Sequence, residues 1–206
     1  MTATPSTAGT SGTSGTSGTS GAADGAGAPA TAVHRTEPVE GRLLRTVCGL
    51  FVTGVTVITS GAGDRLEGTT VNSFTSVSLD PPLVLFCLHK ASRLRTLIDR
   101  SGSFVVNFLA GPQEPLARAF AGRQTASVRD VPHHLSADGM PVLGDALAFL
   151  ACRLENEFDG GDHTIFVGRV VELGVPREHQ EPLIFFRGSL GALEEEPRGT
   201  HPIFDG

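Results

Sequence analysis

The sequence predicts a mostly β protein: an antiparallel barrel with a few short helices packed outside it. Short runs of β-branched and apolar residues recur from residue 51 onward, several of them joined by tight turn signals. The segments between those runs hold only short helical patterns, too few to alternate with every strand. A doubly wound parallel sheet needs that alternation, so the antiparallel arrangement is preferred.

Residues 39–50 (VEGRLLRTVCGL) carry apolar residues at helical spacing behind Pro38 and read as a first helix. Residues 51–60 (FVTGVTVITS) are β-branched and partly alternating, a strand pattern. Gly61, Ala62, Gly63 and Asp64 form a turn signal, which makes residues 66–71 the hairpin partner. Residues 83–88 (LVLFCL) form a short apolar run, a buried strand. Ser92 stands where an N-cap belongs for a short helix over residues 92–100. Residues 103–109 (SFVVNFL) read as a strand, 112–121 as a helix and 122–145 as irregular. Two long strands, 147–158 and 163–173, flank the turn Asp159-Gly160-Gly161-Asp162, and a last strand covers 182–186.

Residues 1–36 are Thr, Ser, Gly, Ala and Pro in the main, with a Gly-Thr-Ser repeat over residues 9–21. Such a segment has almost nothing apolar to bury and cannot offset the entropy of ordering, so a flexible tail is expected. It has no basic start and no apolar centre, which argues against a secretory signal. Residues 37–206 are the size of one domain. The net charge of −6 argues against a nucleic-acid partner, and no apolar run is long enough to cross a bilayer. Cys48, Cys87 and Cys152 lie far apart in apolar surroundings and are expected as buried thiols, fitting a reducing cytoplasm. The chain has 12 Phe but no Trp and no Tyr, which excludes a tyrosine general acid.

Several motifs fail. Gly61-Ala62-Gly63 begins like a dinucleotide fingerprint, but Leu66 stands at the third glycine and no helix follows. No phosphate-binding P-loop, nucleophile elbow or paired-histidine zinc motif is present, and no metal site is expected. The adjacent His133 and His134 point apart on a strand or loop.

Four segments remain. Residues 68–82 (GTTVNSFTSVSLDPP) are dense in neutral hydroxyl and amide groups and read as a loop suited to a flat heteroaromatic ligand. The second, Cys87 to Arg93 (CLHKASR), ends a buried strand in His89 and Lys90 and opens a helix at Ser92 and Arg93, a ready phosphate site. The third is the Gly-rich turn carrying Asp162 and His163, and the fourth is residues 182–188 (PLIFFRG), which deliver Arg187.

Together, TGVTVIT at 53–59, GTTVNSFTSVS at 68–78, Pro81-Pro82, GDHT at 161–164 and PLIFFRG at 182–188 resemble the flavin reductase family. These are the reductase components of two-component flavin-dependent monooxygenases. The resemblance covers about residues 38–190. It implies an FMN-binding split barrel, an antiparallel Greek-key barrel that usually forms a homodimer. It implies flavin, FAD or FMN, along Thr70, Asn72, Ser73, Phe74, Thr75 and Ser76, and the phosphate near His89, Lys90, Ser92 and Arg93. Arg187 and Asp162 join this cofactor-binding set. His163 is implied as the catalytic residue, beside the nicotinamide of NADH or NADPH. The implied reaction moves a hydride to the flavin N5, and a monooxygenase or halogenase receives the reduced flavin. The family often has a tyrosine shortly after the final Arg-Gly; Leu190 stands near that place. A split-barrel oxidase and a non-catalytic flavin carrier are the alternatives.

Overall fold

The computed structural model describes residues 38–62, 65–122, 127–177 and 179–193. The expected tail at 1–36 and the hairpin turn at 63–64 lie outside the described residues. Among these residues are three α-helices: α1 (Gly41–Cys48), α2 (Arg93–Ser101) and α3 (Glu114–Ala121). The strands are β1 (Thr53–Gly54), β2 (Thr56–Ala62), β3 (Arg65–Val71), β4 (Thr75–Leu79), β5 (Pro82–His89) and β6 (Ser103–Phe108). They continue with β7 (His133–Leu135), β8 (Pro141–Leu143), β9 (Ala148–Gly160), β10 (His163–Gly174), β11 (Leu183–Phe186) and β12 (Ser189–Ala192). The mostly β, antiparallel class with short flanking helices is as expected.

One antiparallel sheet runs in the order β3-β2-β6-β9-β10-β5-β4, with a small sheet β1-β11-β12 and a ribbon β7-β8 beside it. Alternation on β5 turns Val84, Phe86 and Leu88 inward. Phe86 stacks on Phe166 at 5.3 Å and meets Phe104 edge-on at 4.9 Å, forming the centre of the main core. Leu94, Leu97 and Ile98 supply the buried stripe of α2 at helical spacing. The helix stops at Gly102, whose φ of +66° closes it with an N–H to the Ile98 carbonyl at 2.8 Å. A second core holds Val57, Leu109 and Leu183 against Ala117 and Phe120 of α3.

The structure corrects several expectations. The hydroxyl-rich run at 68–82 is not one loop: its start completes β3 and Thr75–Leu79 is a strand paired with β5. Cross-strand pairing overrides the turn-prone composition there. The strand expected over 51–60 is divided, because β1 pairs with β11 while β2 pairs with β3 and β6. The region 122–145 contains β7, β8 and a 3-10 turn at Val128–Asp130. β12 was not foreseen; Arg187 and Gly188, at φ +51° and +82°, form the tight turn that folds it onto β11. Of the cysteines, Cys152 is buried, Cys87 is half-buried and Cys48 is exposed. Cys48 is exposed because α1 buries none of its residues within the chain. Burial pushes the Cys152 thiol up to about 12.

Candidate active site

β5 ends at His89, and the chain turns through Lys90 and Ala91 into α2. Three bonds hold that turn. The Lys90 N–H donates to the Asp162 carbonyl at 3.0 Å, and the Ser92 N–H to the His89 carbonyl at 2.8 Å. The Ala91 N–H donates to His89 Nδ1 at 3.1 Å. Nδ1 of His89 therefore accepts, and its ring proton sits on Nε2. Ser92 makes no side-chain cap bond and the first turn of α2 holds no acid. The first amides of any α-helix have no partner within the helix, and a terminus of this kind is suited to an anion. With Glu67 and Thr69 of β3, this turn encloses a cavity of about 750 Å³, lined also by His89, Ala91, Ser92 and Arg93.

His163 opens β10 and lies directly opposite His89 in the β5–β10 register. Their rings meet edge-on at 5.4 Å. His163 Nδ1 is 2.7 Å from Asp162 Oδ1. A carboxylate only accepts, so Nδ1 donates and Nε2 is left to meet a ligand. The hydrogen bond from His163 holds the Asp162 carboxyl below its ordinary range. Gly161, at φ +77°, makes the turn that delivers this pair.

A second cavity, about 430 Å³, lies where the β3–β4 connection meets β1 and β11. Asn72, Phe74 and Thr75 line it, together with Thr53, Gly54, Phe108 and Leu147. Phe74 packs edge-on against Phe108 at 5.0 Å, and Asn72 Nδ2 donates to Thr53 Oγ1 at 3.3 Å. Apolar walls with a few amide and hydroxyl groups suit a flat ring with polar edges. β3 runs from the first cavity to the second. Three residue steps of extended chain lead from Thr69 to Asn72, just past the end of β3, about 10 Å. That is the scale of the span from a flavin ring to its phosphate.

The expected site residues are thus divided. His89, Ser92 and Arg93 line the first cavity with His163 and Asp162 beside them; Asn72, Phe74 and Thr75 line the second. The rest are placed differently. The Thr70 hydroxyl donates to the Ala117 carbonyl at 2.8 Å, on the α3 face of β3. Ser73 Oγ accepts from the Cys87 N–H at 3.0 Å and donates to the Cys87 carbonyl at 3.3 Å, pinning the connection to β5. Ser76 is exposed on β4 opposite Val84. The Lys90 ammonium pairs with Asp159 on the β9 side and lines neither cavity. Arg187 also lines neither: its N–H donates to the Gly49 carbonyl at 2.8 Å and its guanidinium lies 5.1 Å above the Phe186 ring. Sequence reasoning missed Glu67, Thr69, Leu147 and the wall formed by Thr53 and Gly54. Strand parity on β3 was the available signal for the first two, since alternate residues share a face.

The sequence profile described as "Flavin reductase like domain" matches residues 48–194. The reductase subunit HsaB of a flavin-dependent monooxygenase from Rhodococcus jostii is 41% identical over 169 residues, 82% of this chain and 86% of that protein. The NADH-dependent FMN reductase AsuE2 of Streptomyces nodosus subsp. asukaensis is 41% identical over 177 residues, 82% of this chain and 95% of that one. Among solved structures, the Streptomyces globisporus NADH:FAD oxidoreductase SgcE6, in complex with NAD and FAD fragments, aligns with a TM-score of 0.71 at 36% identity. It covers 84% of this chain and 100% of that chain. With matches that span most of the described residues, the chain belongs to the flavin reductase like domain family.

Proposed function

We propose that this chain is an NAD(P)H:flavin oxidoreductase that reduces FMN or FAD and passes the reduced flavin to a partner monooxygenase or halogenase. One observation carries the reading. A cavity that carries Arg93 at a helix start and is flanked by a histidine pair is joined by a single strand to an apolar cavity with polar edges. That is the layout a phosphate-bearing ring and a nicotinamide need. Relatives of both flavin types, FMN in AsuE2 and FAD in SgcE6, leave the choice of flavin open.

Bound flavin supplies the hydride acceptor and NAD(P)H the donor. The protein's part is binding and orientation. Arg93, the Ser92 hydroxyl and the first amides of α2 hold the phosphate. His89 adds an Nε2–H donor. His163 presents Nε2 to the carboxamide N–H or a ribose hydroxyl of the nicotinamide, with Asp162 fixing its tautomer. Asn72 and backbone N–H groups of the β3–β4 connection would supply hydrogen-bond donors to the polar edge of a bound flavin ring, where they would stabilise negative charge. Phe74 and Phe108 exclude water from the ring face. Thr70 and Ser73 serve by holding that connection in place, and Ser76, Lys90 and Arg187 have no ligand role in this scheme.

Residues 37–206 form the catalytic domain in this reading and 1–36 a tail. A homodimer fits the exposed Leu44, Val47, Leu50, Phe51 and Val52 in and after α1, an apolar surface that a second copy would cover. Phe51 and Val52 border the apolar cavity, so the cover would also close the site. No described helix is long and apolar enough to cross a membrane. The unpaired cysteines favour a cytoplasmic setting.

The test is oxidation of NADH and of NADPH by purified protein with FMN, FAD or no flavin added. Turnover that requires added flavin is expected. Flavin binding without turnover would overturn the reading in favour of a carrier.

A further inference from the structure

We infer that Glu67 sets how tightly the phosphate end of the flavin is held, acting as an internal competitor that keeps the cofactor exchangeable. The inference rests on the reading of the first cavity as the phosphate site.

The pleat of β3 puts Glu67 there. A Cβ on Gly68 would stand 3.1 Å from the Phe120 ring, and the Thr70 hydroxyl reaches the Ala117 carbonyl, so these residues face α3. Their neighbours Glu67 and Thr69 face the other way, into the cavity. Among the described lining residues Glu67 is the one acid, set among His89, Ser92, Arg93 and Thr69. Its carboxylate lies 4.0 Å from Arg93 Nε. The Glu67 side chain is 25% exposed and that of Arg93 68%. The acid is therefore the sheltered member of the pair, and water screens it incompletely.

A phosphate entering this cavity must share Arg93 with Glu67 and stay within several ångströms of a like charge. One unit charge at about 7 Å through a half-screened medium changes affinity about 3- to 10-fold. Release is the functional counterpart. A reductase that hands reduced flavin to a second enzyme gains nothing from a site that retains it.

The test compares Glu67→Gln with the unaltered chain in equilibrium titrations of FMN, FAD and riboflavin, which lacks phosphate, at low and high salt. Glu67→Gln is expected to tighten FMN and FAD binding about 3- to 10-fold at low salt. The gain should shrink at high salt, and riboflavin binding should be unchanged. Glu67→Thr, which keeps a β-favouring side chain, is expected to do the same. Arg93→Ala is expected to weaken FMN but not riboflavin. Glu114→Gln makes the same change in net charge about 12 Å along α3 from the cavity rim and should leave all three affinities alone. If Arg93→Ala leaves FMN unaffected, the phosphate reading of the cavity fails. If Arg93→Ala weakens FMN while neither Glu67 variant tightens it, or if riboflavin tightens equally, the role given to Glu67 is overturned.

Discussion

Replacing Gly168 by alanine tests the packing that holds the histidine-bearing strand in register. Gly168 lies in β10 between β9 and β5, opposite Leu154 and Val84. A Cβ there would stand 2.2 Å from Phe104 Cζ, 2.8 Å from Cε1 and 3.0 Å from the Cys152 Cβ. Ordinary contact begins near 3.4 Å, so the ring would have to retreat by more than about 1 Å. It has nowhere to go: Phe104 is fully buried and meets Phe86 edge-on at 4.9 Å. The alternative is to lift β10, which breaks ladder bonds on both sides. Overpacking of this kind costs about 2–4 kcal/mol. For a domain of this size that is a fall of about 6–12 °C in Tm. Thermal and urea unfolding followed by circular dichroism measure it. Gly161→Ala is the control: its φ of +77° strains a side chain, but nothing lies within 4 Å, so a loss of about 1 kcal/mol is expected. Phe104→Leu should recover part of the loss in the Gly168→Ala background, because a smaller side chain makes room. A Gly168→Ala cost below about 0.5 kcal/mol, or strict additivity with Phe104→Leu, would refute the clash as its cause.

His163→Ala is expected to raise KM for the nicotinamide nucleotide about tenfold and that for flavin less than about twofold; equal effects on both contradict the positioning role. Burial, then a hydrogen bond with Asp99, raises the Glu157 carboxyl above its ordinary 4.5, against the pull of Arg95 3.8 Å away. The folded state thus holds this proton more tightly than the unfolded one, and stability should fall as pH climbs from 4.5 through the raised value. Glu157→Gln should lose that slope, with a Tm about 2 °C higher above the window and no gain below it; a profile parallel to the unaltered protein contradicts the assignment. Thr70→Val removes the bond to the Ala117 carbonyl and should cost about 1 kcal/mol in urea unfolding, with flavin affinity changed less than twofold. Weakened flavin binding at unchanged stability would return Thr70 to the ligand.

Strands with a strong local pattern were legible. The apolar run in β5 and the β-branched runs in β6 and β10 satisfy their side-chain burial wherever they pair, so composition alone marks them. The Gly-rich turn carrying Asp162 was legible because Gly161 must adopt a positive φ. β12 was not: Ser189 to Ala192 have little strand character and are held by pairing with β11. Nor was β4, whose hydroxyl-rich residues look like loop until β5 lies beside them.

The candidate site divides the same way. Residue types and order were enough to mark Ser92 and Arg93 at a helix start, the Asp162–His163 turn and the amide-bearing run around Asn72, because each is local chemistry on a short segment. Only the tertiary structure decided which of them meet. His89 and His163 face each other through the β5–β10 register, a pairing between segments far apart in the chain. Thr69 lines a cavity while Thr70 ties down α3, although the two are chemically identical neighbours. The physical reason is parity. A strand alternates faces with each residue, and which face lines the cavity is set by the helix packed on the other side, which no local sequence pattern encodes.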